Sequence, residues 1–213
     1  MTVVGVDACR GKWLAIALDE ERFVAARLGA GVAALLTAWP DAAAVGIDIP
    51  IGLPQLPWRE ADRAARDFVG ERRSSVFATF PRLVLESGSY DEARALCVER
   101  GWPQPSIQSY GMRHRILELA REASADERLI EVHPEVSFRE LLGRPLSAKR
   151  TATGAAERRS ALAQVGIDVP DLPYPLADVL DAAVAAWSAA RCARGEARPL
   201  PAGHSSRIGA IWR

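Results

Sequence analysis

The first thirty residues fall into three short apolar stretches separated by turn-forming residues. Val3-Val4-Gly5-Val6-Asp7 predicts a strand that stops at Cys9-Arg10-Gly11, and Trp13 to Leu18 predicts a second. Past the polar turn Asp19-Glu20-Glu21-Arg22, Phe23 to Leu28 predicts a third. Loops this short join antiparallel neighbours. From Gly31 to Trp39 the period changes, with Val32, Leu35, Leu36 and Trp39 recurring at helical spacing. Val45-Gly46-Ile47-Asp48-Ile49 is almost unbroken in its apolar character. That is the signature of a buried parallel strand reached through a helical crossover.

Residues 55–125 read differently. Ala61, Ala64, Ala65, Phe68 and Val69 share one face of a helix starting near Trp58. Ser89 and Glu92 form a capping box for a second helix, which Gly101 ends. Ile107, Tyr110, His114 and Leu117 predict a third, beyond the joint Trp102-Pro103-Gln104-Pro105. Arg128 to Val132 returns to strand. A short helix around Phe138 follows, then a basic stretch, a helix from about Ala155 to Val165, and a final helix from roughly Leu176 to Ala193 with Gly195 as its stop. The order β-β-β-α-β, helical insert, β-α and last helix predicts one α/β domain with helices on both faces of a mixed sheet.

Composition narrows the class. At 213 residues, 49% hydrophobic and 25% charged, the chain is neither a disordered tail nor a membrane bundle. Lys+Arg 27 balances Asp+Glu 27, so no whole-molecule field draws it to nucleic acid and any such contact rests on a local patch. Cys9, Cys97 and Cys192 are odd in number and contain no CxxC pair, as in a reduced protein. With no basic leader before Val3 and no long apolar run, the expectation is a cytoplasmic setting without a membrane partner.

The acids carry the candidate chemistry. The first strand ends in Gly5-Val6-Asp7 and the fourth in Gly46-Ile47-Asp48. Side chains alternate along a strand, so each Asp shares a face with the Gly two positions before it, and each Gly is expected to leave open space there. On adjacent parallel strands both carboxylates emerge at one end of the sheet. An acid closing an apolar strand is costly unless its charge is compensated, and a divalent cation compensates it. Asp178 and Asp181 lie three apart in the first turn of the last helix, whose small residues Ala182, Ala185 and Ala189 let it lie close on a sheet. Glu131 closes the fifth strand. Oxygen-only ligands select Mg²⁺ or Mn²⁺. Each acid alone is also an ordinary cap or turn former. Together Asp7, Asp48 and a helix-borne Asp predict a shared metal site.

Six segments, GVDACRGKW (5–13), GIDIPIGLP (46–54), GERRSSVFATFPR (70–82), EVHPEVSF (131–138), KRTATGAAER (149–158) and DVLDAAVAAW (178–187), span the chain. With them it resembles the domain of unknown function 429 family, described as predicted nucleases of the ribonuclease H-like fold. The resemblance implies a five-stranded sheet of order 3-2-1-4-5 in which strands one and four are neighbours, placing Asp7 beside Asp48.

The basic residues fall in two segments. Arg144, Lys149, Arg150, Arg158 and Arg159 face only Glu157 as a counter-charge, and Thr151 and Thr153 precede a helix N-terminus suited to anions. Arg72-Arg73-Ser74-Ser75 follows the first insert helix. Arg72, Arg73, Ser74, Lys149 and Arg150 are therefore candidate phosphate ligands. The alternatives are a solvated arginine-rich face and pairing with Asp67 and Glu71. His133 shares a strand face with Glu131 and is a candidate proton shuttle, or a hydrogen-bonded structural residue. The six tryptophans read as core or edge residues, not a stacking platform.

The leading expectation is a nuclease using two Mg²⁺ or Mn²⁺ ions ~4 Å apart. Asp7, Asp48 and Asp181 are its ligands, with Asp178 or Glu131 as a fourth, and the 55–125 insert restricts access to the site. A non-catalytic nucleic-acid or nucleotide binder is the alternative. A phosphotransferase of the actin and sugar-kinase kind comes third, because only one unit is present and no glycine-rich phosphate hairpin follows Asp7.

Overall fold

A computed structural model describes residues 1–213. Strands β1 (Thr2–Cys9), β2 (Lys12–Asp19) and β3 (Arg22–Gly29) form an antiparallel meander. Its two-residue turns need positive φ at both central positions. Arg10 and Gly11 supply 47° and 79°, Glu20 and Glu21 supply 47° and 64°, and Arg194 neutralises Glu21 at 2.5 Å. Helix α1 (Val32–Ala38) crosses to β4 (Val45–Ile47), which runs parallel to β1. The insert contains α2 (Glu60–Val69), a 3₁₀ turn (Gly70–Ser75), α3 (Arg82–Leu85), α4 (Tyr90–Glu99), α5 (Ile107–Gly111) and α6 (Arg113–Glu122). Strand β5 (Leu129–Glu131) then lies parallel to β4, followed by α7 (Pro134–Leu142), α8 (Ala152–Gln164) and α9 (Leu176–Ala193). The sheet order is 3-2-1-4-5, the ribonuclease H-like arrangement, with the helical insert between the fourth and fifth strands.

Several boundaries differ from expectation for local reasons. The third insert helix breaks at Met112 into α5 and α6. Ser89 accepts the Glu92 N–H at 3.2 Å, but Glu92 reaches past it to the Gly88 N–H at 2.9 Å, so the expected box is displaced by one residue. A short C-terminal hairpin, β6 (Pro199–Leu200) with β7 (Ile211–Trp212), carries too few residues to show a strand period.

The sheet is buried on both faces. Val4, Val6, Val45, Ile47 and Leu129 pack under α1 and the insert, while Val3, Cys9 and Ile130 pack under α7, α8 and α9. Glu118 of α6 ties the insert to the sheet by accepting the Val32 N–H at 2.7 Å and the Trp13 indole N–H at 3.2 Å. On the other face, Gly5 and Gly46 do not leave the open space expected of them. A Cβ at Gly5 would stand 2.0 Å from the Ala182 carbonyl oxygen and 2.1 Å from the Ala186 nitrogen, and one at Gly46 would stand 2.5 Å from the Ala185 oxygen. The backbone of α9 fills that space. Helix and sheet meet main chain to main chain. No helix is long and apolar enough to cross a membrane.

Candidate active site

Asp7 and Asp48 extend one parallel register. Val6 lies opposite Ile47, and the Asp48 N–H donates to the Val6 carbonyl at 3.1 Å. By alternation both side chains leave the sheet on the face of Gly5 and Gly46, towards α9. Three residues into the buried face of that helix stands Asp181, 2% exposed. The three carboxylates thus come from two strand ends and a helix locked against those strands.

Their electrostatics follow from this placement. Burial pushes Asp7 well above the ordinary carboxylate range, and the charges of Asp48 and Asp181 push it further. The Ala8 N–H, donating to Asp7 Oδ1 at 2.7 Å, and Lys149 only partly offset them. Burial also raises Asp48, against the pull of His133 and Lys149. Asp181 is raised to about 6, chiefly by burial, although Lys149 opposes the shift. The Lys149 Nζ donates to Asp181 Oδ2 at 2.7 Å. Burial works against its charge, yet Asp181, Asp48 and Asp7 together hold the ammonium above its usual range. Lys149 thus bonds one of the three acids, with His133 and Arg158 offsetting Asp48 and Asp181 from further off, and no three potential ligands close on a common point.

A pH signature follows. A carboxyl with a raised folded-state pKa binds its proton more tightly folded than unfolded, so its contribution to stability falls as pH rises between the two values. For Asp181 in metal-free buffer that window runs from about 4, the ordinary Asp value, to about 6. Asp181→Asn removes the penalty. The stability difference, variant minus wild type, is expected to grow by on the order of 2–3 kcal/mol between pH 4 and pH 7. Denaturant unfolding across that range measures it, and a flat difference would mean a solvated carboxylate.

A family model described as Protein of unknown function (DUF429) matches residues 5–205. The chain belongs to the DUF429 family. Among solved structures, T. thermophilus RuvC in complex with Holliday junction substrate is similar over 92% of this chain and 97% of that one, with 14% identity and a TM-score of 0.43. No curated protein matches the sequence.

Two expected acids of this DUF429 chain are engaged by other groups. Glu131 lies opposite Ile47 in the register, so it leaves the sheet on the face away from Asp7 and Asp48. There Arg59 donates to both its oxygens, at 2.5 and 2.7 Å, and the Ile51 N–H donates at 2.6 Å. The same guanidinium reaches Asp62 Oδ1 at 2.7 Å and the Ile51 carbonyl at 3.1 Å. Glu131 is thus an anchor for the insert, with both oxygens engaged by Arg59 and the Ile51 N–H while it lines the same cavity as Asp48 and Asp181. Asp178, one turn before Asp181, lies beside Cys9, whose thiol burial and this carboxylate push up to about 11. It does not line the cavity, and its charge favours the helix N-terminus.

The basic candidates scatter. Lys149 is in the site, paired with an acid and not free for phosphate. Arg72 donates from Nε to the Leu146 carbonyl at 3.1 Å, bracing the 3₁₀ turn against the loop before Lys149. Arg73, Ser74 and Arg150 are exposed. Arg158, expected on a solvated helix face, is 1% exposed and pairs with Glu135 at 2.5 Å. His133 bonds to the Ser75 carbonyl through Nε2 at 3.3 Å and not to Glu131, and its buried Nδ1 has no partner. It lines a cavity of about 240 Å³ that Asp48, Lys149 and Asp181 share with the Arg59–Asp62–Glu131 network and Glu135, closed by Val76, Phe77 and Ile211. The sequence reading missed Arg59. An Arg–Asp pair at i, i+3 is its only local sign, since Glu131 lies far along the chain.

Proposed function

We propose that the chain is a metal-dependent phosphodiesterase acting on nucleic acid, with Asp7, Asp48 and Asp181 as the cation ligands. The observation that carries this reading is three carboxylates from separate elements on one buried face, of which Lys149 is bonded to Asp181 alone. Such a charge excess fits a divalent cation and has no structural rationale of its own. Bound Mg²⁺ or Mn²⁺ would neutralise the phosphate and lower the pKa of its water.

The protein's own groups then have separable tasks. Asp7, fixed by the Ala8 N–H, and Asp181, fixed by the helix contact, set the spacing of the ligands. Lys149 stands on a half-exposed stem and, with a divalent cation held by the acids, would be released from Asp181 to bind a phosphate oxygen. The free Nδ1 of His133 is available to hold a proton beside Asp48. The paired Lys149–Asp181 bridge favours a second reading, a non-catalytic nucleic-acid or nucleotide binder in which lysine replaces metal for good.

Titration calorimetry with Mn²⁺ separates the two. Wild type is expected to bind Mn²⁺, and Lys149→Met to bind it at least several-fold more tightly, because the competing ammonium is gone, while cleaving nucleic acid more slowly. Absence of Mn²⁺ binding in both proteins would leave the binder.

A further inference from the structure

Trp58 is held at φ 69°, a left-handed conformation strained for a bulky side chain. It persists because its surroundings are tied down. Its N–H donates to the Thr79 carbonyl at 3.2 Å, and the next residue is Arg59 with its bonds to Glu131, Asp62 and Ile51. The strained backbone leaves the indole half-buried, not packed into either core. Arg66 lies 4.8 Å from its ring centroid, oriented by the Arg73 and Val76 carbonyls at 2.9 Å and not by any carboxylate. Exposed Arg63 is on the same side, with Asp67 as the one acid there. On the other side the indole and Ser74 line a cavity of about 190 Å³. Val76 and Phe77 form walls of both this cavity and the carboxylate cavity, so the two adjoin.

We propose that Trp58 is a stacking platform for an unpaired nucleobase of a strand whose phosphate sits at the carboxylates, so that the substrate is single-stranded at the site. The inference rests on the phosphodiesterase reading of the neighbouring cavity and deepens it. Base–aromatic stacking is independent of sequence, and arginines without carboxylate partners suit the flanking phosphates. The two cavities, about 240 and 190 Å³, are each below the ~300 Å³ of sites that enclose a whole drug-sized ligand. Each has room for about one base. A tryptophan needed only for packing would gain nothing from a strained backbone at the surface.

The test is fluorescence anisotropy of labelled DNA and RNA oligonucleotides, single-stranded and duplex, with Ca²⁺ in place of Mg²⁺ so that binding is read without cleavage. Wild type is expected to favour single strands. Trp58→Gly is expected to weaken single-strand binding about tenfold, within the range for one stacked base, and Trp58→Phe to keep most of it. Because glycine relieves the positive φ, Trp58→Gly is expected to melt within a few degrees of wild type or above it. Unchanged binding in Trp58→Gly, a preference for duplex, or a fall in Tm of ~10 °C or more would each overturn the platform. If wild type still cleaves nucleic acid in such a case, the phosphodiesterase reading stands without it. If wild type neither binds nor cleaves any nucleic acid, both fall.

Discussion

Asp7→Asn is expected to abolish Mg²⁺- or Mn²⁺-dependent cleavage of a labelled oligonucleotide while leaving the melting temperature unchanged or higher. The two halves of this outcome have different causes. Asn keeps the oxygen that accepts the Ala8 N–H, so the local fold has no reason to change. It removes a buried charge that Asp48 and Asp181 both repel, so the apo protein loses a source of strain. On the phosphodiesterase reading proposed above, activity depends on that same charge, and its loss is expected to exceed the ~10–100-fold that follows removal of an outer partner at a metal site. A large drop in Tm would instead identify Asp7 as a structural hydrogen-bonding residue, and full activity in the variant would end its role as a ligand.

Arg59→Met is expected to produce the largest loss of stability among the substitutions considered. Its guanidinium is 7% exposed and serves Glu131, Asp62 and the Ile51 carbonyl at once. Burial opposes its charge, but the two carboxylates more than offset this and hold it above its ordinary pKa. Removing one partner of a buried pair costs about 3–5 kcal/mol, because the other charge is left behind. At roughly 2–4 °C per kcal/mol for a domain of this size, Tm falls by ~6–20 °C. Adding Glu131→Gln neutralises the stranded carboxylate and is expected to recover part of the loss. Thermal unfolding of the single and double variants decides it, and equal melting of Arg59→Met and wild type would show that the network carries no net stability.

The sheet was legible because its signals are local. Alternation, short polar turns and the Gly-X-Asp endings of two strands set the faces of Asp7 and Asp48 without any partner being known. The phase of β5 against β4 was not legible, because a slip of one residue moves every side chain to the other face. That phase is what turns Glu131 towards Arg59, although Glu131 still lines the cavity that Asp48 and Asp181 share. Its true partner, Arg59, lies across the whole insert, beyond the reach of spacing arguments. The glycines misled in sign: their small size suggested room for a ligand, whereas the room is taken by α9. Trp58 looked like one scattered aromatic among six, since a positive φ at a tryptophan leaves no trace in its neighbours.

The contact between α9 and the sheet also divides the labour of movement. With no side chain interposed at Gly5 or Gly46, the helix cannot slide towards or away from the strands, and Asp181 stands at a fixed gauge from Asp7. The opposite wall is built differently. Lys149 rides on the loop between α7 and α8, which touches the 3₁₀ turn through the single Arg72–Leu146 bond. The loop is itself braced on α8, where the Ser147 N–H donates to Glu157 and the Ser147 carbonyl accepts from Arg158. The freedom left to the site is therefore that of the Lys149 side chain, and any response to a charged guest falls to that one ammonium.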